Sequence, residues 1–272
     1  MSTVSRLATT PVPPAHPEST ARARGAVRAV LRTEIRLFRR EPAALFWILV
    51  FPTLLLVVLG SIPSFREVDK TLGSGGGIRL VDAYVPVAVL LPMIMAALQA
   101  MPPVVTGYRE RGILRRMSAT PMRPSWLLGA QMGIHGAAAL GSALLSVTVA
   151  RAAFDVPLPE QPAGYLLALV LAILVALGLG AVVSSRARTS KIANAIGTVV
   201  FFPMMFCAGV WLPVQAMPDG LARVVEYTPF GAAAQALNQA ATGDWPSWSH
   251  LAVMVVWTAL LTGAAARWFR WE

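Results

Sequence analysis

The sequence predicts an all-α fold that crosses a bilayer six times, and three observations predict it. Mean hydropathy is +0.62 with 56% hydrophobic residues, only 13% of residues are charged, and those charges gather between six long apolar windows. A 272-residue chain has too little core to hide that much apolar surface from water, so a bilayer takes the excess.

The windows run from Ala43 to Pro63, Ala83 to Gly107, Ser125 to Ala150, Ala163 to Ser185, Ile192 to Pro213 and Ser247 to Ala266, and none contains Asp, Glu, Lys or Arg. Each is about 20 residues or longer, enough to cross a hydrocarbon core. Placing the N-terminus inside leaves only Arg66, Lys70, Arg79, Arg151 and Arg223 outside, out of 23 basic residues. The positive-inside rule therefore predicts a multi-pass protein with both termini in the cytoplasm. Arg outnumbers Lys 21 to 2, a bias associated with GC-rich bacterial genomes, so the expected location is the bacterial cytoplasmic membrane.

Taken in chain order, residues 1–25 carry Pro11, Pro13, Pro14 and Pro17 without apolar periodicity and are expected to be a disordered cytoplasmic tail. Residues 26–42 form an amphipathic pattern. Val27, Val30, Leu31, Ile35, Leu37 and Phe38 share one arc, and Arg28, Arg32, Arg36, Arg39 and Arg40 share the opposite one, which predicts an interfacial helix. Glu34 and Glu41 fall on the apolar arc, against the pattern. Residues 43–272 make up the six-helix transmembrane domain.

Pro52 in the first span, and Pro86, Pro92, Pro102 and Pro103 in the second, predict kinks or breaks. In the third span Gly129, Gly133, Ala137 and Gly141 recur at four-residue spacing. They form either a packing ridge or the ordinary glycine content of membrane helices. Before the sixth span, a short helix capped by Asp219 runs through Glu226, and Phe230 to Thr242 forms a second, stopped by Gly243. This second helix is too apolar for a solvated loop and too short to span. It either re-enters the membrane or packs as an outer helix.

The net charge of +10 lies in stretches next to the membrane, where it suits anionic lipid rather than nucleic acid. Cys207 stands alone, which excludes an intramolecular disulfide, and His16, His135 and His250 lie too far apart along the topology to share a metal. No span carries a charged residue, although proton-coupled carriers rely on membrane carboxylates. Gln99, Gln131, His135 and Asn194 are the polar candidates within the spans, each either functional or hydrogen-bonded to a neighbouring helix.

The cytoplasmic connection after the second span, YRERGILRRMSATPMRPSW, reads as a short helix with a stop at Pro121 and Pro124. Glu110 suits its N-terminus, Arg111 and Arg115 form a basic row, Arg116 adds charge, and Gly112 lies within it. Ile113, Leu114 and Met117 make an apolar tip. The arginines either hold topology or dock a partner.

The run from Glu110 to Met122, with FFPMMFCAGVWLPVQAMPDGLARVVEYTPFGAAAQAL from Phe201 to Leu237, resembles the type two ABC exporter permeases, the class that includes daunorubicin-resistance transporters. The resemblance implies an N-terminal surface helix, six spans, a coupling helix over Glu110 to Met117 and two short outer helices. It also implies two copies of a separate ATP-binding subunit carrying ATP and Mg, and a second permease copy, identical or different. Ile113 and Leu114 would be knobs in the ATPase groove, with Arg111, Arg115 and Arg116 pairing its carboxylates. No Gly-Lys-Ser/Thr is present, since Lys70 and Lys191 follow Asp69 and Ser190, so no cofactor or catalytic residue is expected in this chain. The expected function is ATP-driven export of a hydrophobic drug, natural product or lipid-like substrate. A secondary carrier and a membrane enzyme or scaffold are the alternatives.

Overall fold

The computed structural model describes residues 17–69, 77–118 and 124–268. Among these, six helices are long and apolar enough to cross a membrane: Pro42–Gly60, Leu80–Glu110, Trp126–Phe154, Pro162–Arg186, Ser190–Cys207 and Trp248–Trp268. They match the six predicted windows, except that the fifth stops at Cys207 instead of Pro213. Gly209, at φ 86°, turns the chain there.

The second span is the axis of the bundle. Its most apolar stretch is 83% buried, against 28% for the first and sixth spans. It packs on the first, third, fourth and fifth spans and on the short helix Pro229–Ala241. That burial explains a run of Val, Leu, Ile and Met with no polar face, since a helix covered on all sides reads as apolar all round. Exposed Trp248 and Trp268 bracket the sixth span, as interfacial anchors do.

The expected proline breaks take a milder form. Residues Phe46–Val50 and Ala96–Ala100 are π-helical turns inside otherwise unbroken spans. The amide of Phe51 reaches back to the Phe46 carbonyl, and that of Met101 to the Ala96 carbonyl. Each sits one residue before a proline, Pro52 and Pro102. A proline has no N–H for the carbonyl four residues back and crowds it, and a widened turn relieves both problems.

The helix Pro229–Ala241 is capped by Thr228, whose Oγ1 accepts from the Gly231 amide at 3.1 Å. Phe230, Ala232, Ala233, Ala236, Leu237 and Ala240 are fully buried, against the fourth and sixth spans among others, so the helix packs as part of the core. Asp219 does not cap the helix before it, Asp219–Glu226. Pro218 holds the cap position and Asp219 lies in the first turn, where its carboxylate still complements the helix dipole.

The N-terminal helix spans Pro17–Phe38, so it begins nine residues before the predicted Ala26 and takes in part of the expected tail. Proline suits a first helical turn, and Ala21 and Ala23 are strong helix formers, a propensity independent of the amphipathic pattern. The remaining residues assigned to that tail, 1–16, lie outside the described residues.

Candidate functional site

A cavity of about 880 Å³ opens beside the second span. Its lining runs from Met95, near the middle of that span, to Tyr108 and Arg111 at its end, about 24 Å of helix axis. The N-terminal helix contributes Glu34 and Phe38, the first span Trp47 and Phe51, and the fifth span Asn194 and Phe201. Both π-helical turns reach the wall, through Trp47 and Ile48 on one side and Gln99 and Ala100 on the other. Widened turns of this kind recur at functional sites, because they re-aim side chains and free carbonyls within a span.

The four polar residues singled out from the sequence, Gln99, Gln131, His135 and Asn194, all line this one cavity. Gln131 and His135 are buried, on one face of the third span. His135 Nδ1 lies 2.9 Å from the Gln131 carbonyl, which can only accept, so the proton is on Nδ1. The ring meets Phe38 edge-on with centroids 5.4 Å apart.

Glu34, the misfit on the apolar arc, accounts for itself here. It is only 6% exposed, and its Oε2 accepts from the Tyr108 hydroxyl at 2.7 Å and from Gln131 Nε2. Burial pushes its carboxyl above the ordinary range; the two donors pull the other way and the nearby Glu41 adds to the rise. The sequence signal was present, a carboxylate on an apolar helix face. Its partners were not legible, because they stand 74 and 97 residues away.

The connection after the second span departs from its expected form. Glu110 ends that span instead of starting the next helix, and its Oε2 accepts from Ser190 Oγ at 2.7 Å. Gly112 turns the chain at φ 65°, and the short helix is Ile113–Ser118. Arg111 and Arg115 therefore do not share a helical row. Arg111 folds back, with Nε donating to the Gly107 carbonyl at 3.1 Å and its guanidinium over the Tyr108 ring at 5.6 Å.

Leu114, expected as a knob for a partner, is 3% exposed in this chain and clusters with Tyr108 and Leu127, with Ile113 packed against them, so its side chain is turned onto the bundle. Arg116 is exposed, and its Nη2 donates to the Arg111 carbonyl at 3.2 Å. The side chains of Arg115 and Met117, and the residues Ala119 to Arg123, lie outside the described residues. Arg109 ties this end to the fourth span, where Nη1 donates to the Ala187 carbonyl at 2.9 Å and the Ser184 carbonyl at 3.2 Å.

Gly129, Gly133, Ala137 and Gly141 all face outward, and a side chain added at any of the three glycines would meet nothing within 4 Å. The ridge thus packs on no other part of the described chain. The close approaches belong to glycines the sequence reading passed over. A Cβ on Gly180 would collide with the Ala97 carbonyl, and one on Gly197 with the Leu98 carbonyl, so the fourth and fifth spans both close on the widened turn of the second.

Six apolar helices, the second of them a deeply buried axis, with a cavity beside it, define a multi-pass helical membrane protein. The chain belongs to the ABC-2 type transporter family, whose model matches residues 25–240. It is thereby a permease subunit of an ABC transporter, the membrane component and not itself an enzyme, in a family that pairs with an ATP-binding subunit. No curated protein matches the chain.

Proposed function

We propose that this chain is the membrane-spanning half of an ATP-driven exporter in the bacterial cytoplasmic membrane, with both termini inside. In this reading the cavity beside the second span receives substrate from the cytoplasmic half of the bilayer. Two ATP-binding subunits dock on the connections after the second span of two permease copies. The excess of arginine on that side supports the orientation.

The observation that carries the reading is the position of Tyr108. It packs with Leu114 of the short helix and donates its hydroxyl to Glu34 in the cavity wall. A push on Ile113–Ser118 thus reaches the cavity through one side chain and the span that bears it. Leu114 anchors the short helix to the bundle, leaving Arg115 and Arg116 as the docking charges. The outward ridge from Gly129 to Gly141 is where backbone could approach a second permease copy.

The test is co-purification of the partner ATPase with wild type and with Arg115→Glu/Arg116→Glu. The variant is expected to insert normally and to lose most of the captured ATPase activity, since reversing two rim charges turns attraction into repulsion. If wild type captures no ATPase and the variant behaves like it, the reading fails.

A further inference from the structure

The chemistry of the cavity wall is at odds with the chemistry of the chain around it. The protein carries a net charge of +10, and arginines crowd the connections on this side of the bundle. Yet among the described residues the cavity is lined by two carboxylates, Glu34 and Glu41, against the single guanidinium of Arg111. That guanidinium is turned to the wall, bonded to the Gly107 carbonyl and laid over the Tyr108 ring. Both donors to Glu34 go to Oε2, and Oε1 carries no hydrogen bond among the described residues. A carboxylate oxygen without a donor, on a residue that lines a cavity, is a place for a positive charge.

Apart from Gln99, Gln131, His135 and Asn194, the rest of the wall is aromatic and aliphatic. Phe38, Trp47, Phe51 and Phe201 line the same cavity as the carboxylates, and aromatic rings attract cations as well as apolar surface. A volume of about 880 Å³ suits a drug-sized molecule and greatly exceeds what a metal ion or water needs.

We propose that this cavity binds amphipathic organic cations, with Glu34 and Glu41 facing the charged head and the rings of Trp47, Phe51 and Phe201 the apolar body. The inference rests on reading the cavity as the substrate pathway, and it names the substrate class. An anion of the same size is disfavoured, because among the described residues of the lining carboxylates outnumber guanidinium groups two to one, and Arg111 is already laid over the Tyr108 ring.

The test uses the permease alone in nanodiscs of zwitterionic lipid, so it does not depend on capturing an ATPase. Tetraphenylphosphonium and tetraphenylborate have nearly the same shape and opposite charge. Equilibrium dialysis of each, corrected with empty nanodiscs, is expected to show saturable binding of the phosphonium and none of the borate. Glu41→Gln, at an exposed position, is expected to weaken phosphonium binding about tenfold. Glu34→Gln and Trp47→Ala are expected to weaken it as well.

Saturable borate binding of equal affinity, phosphonium binding that both Gln variants leave unchanged, or no saturable binding of either ion overturns the proposal. Failure here with the ATPase still captured removes the substrate class and leaves the exporter. Phosphonium binding without ATPase capture leaves a cation site in some other kind of carrier.

Discussion

Glu34 gives the helix before the first span a pH dependence with a definite sign. Its folded carboxyl titrates above the ordinary value of 4.5, because burial opposes the charged form more than Tyr108 and Gln131 favour it, with Glu41 adding repulsion. The folded state therefore holds the proton more tightly than the unfolded chain does. The stability this contributes is fully present below the unfolded value and is lost as pH rises through the folded one. Glu34→Gln removes the titration while keeping a polar group of the same size. Wild type in detergent is expected to lose thermal stability relative to that variant as pH climbs from about 4.5, the ordinary value. A difference between the two that stays flat across pH would show that Glu34 does not titrate in this range.

Within the spans, the widened turn at Ala96–Ala100 sets how closely helices approach. The pattern of prolines announced it, since Pro102 and Pro103 remove two consecutive amides from the helix ladder. Proline content alone could not distinguish a break from a π-turn, because the choice depends on what covers the freed carbonyls. Here the fourth and fifth spans do so, with Gly180 on the Ala97 carbonyl and Gly197 on that of Leu98. Such contacts are long-range and leave no local pattern, whereas the regular Gly129 to Gly141 series, visible in the sequence, touches nothing in the described chain. Gly197→Val is accordingly expected to cost about 1–3 kcal/mol of folding stability, since backbone cannot yield as a side chain can. Gly129→Ala and Gly141→Ala are expected to change it by less than about 0.5 kcal/mol. Denaturation in mixed micelles measures both, and equal losses at Gly197 and Gly129 would contradict the packing described.

Across the whole molecule, span number and most boundaries, though not the end of the fifth span at Cys207, were legible because they rest on composition and charge placement, which need no knowledge of tertiary contacts. The cavity was half legible: its polar residues stood out singly, but their convergence is a property of how the N-terminal helix folds against the second and third spans. That convergence makes transmission testable. In Tyr108→Phe the ring still packs with Leu114 and Leu127, so the short helix keeps its seat on the bundle. What is lost is the hydroxyl donated to Glu34, a bond to a buried carboxyl worth about 1–3 kcal/mol when left unmade. If motion passes from the connection to the cavity through this residue, the variant should hold the ATPase as wild type does and keep basal hydrolysis within about twofold. Stimulation of hydrolysis by a bound organic cation should then fall by about tenfold, the equivalent of 1.4 kcal/mol of coupling. Loss of capture together with stimulation would place Tyr108 in the docking seat instead, and unchanged stimulation would mean that the connection moves the span as a rigid rod, without using the hydroxyl.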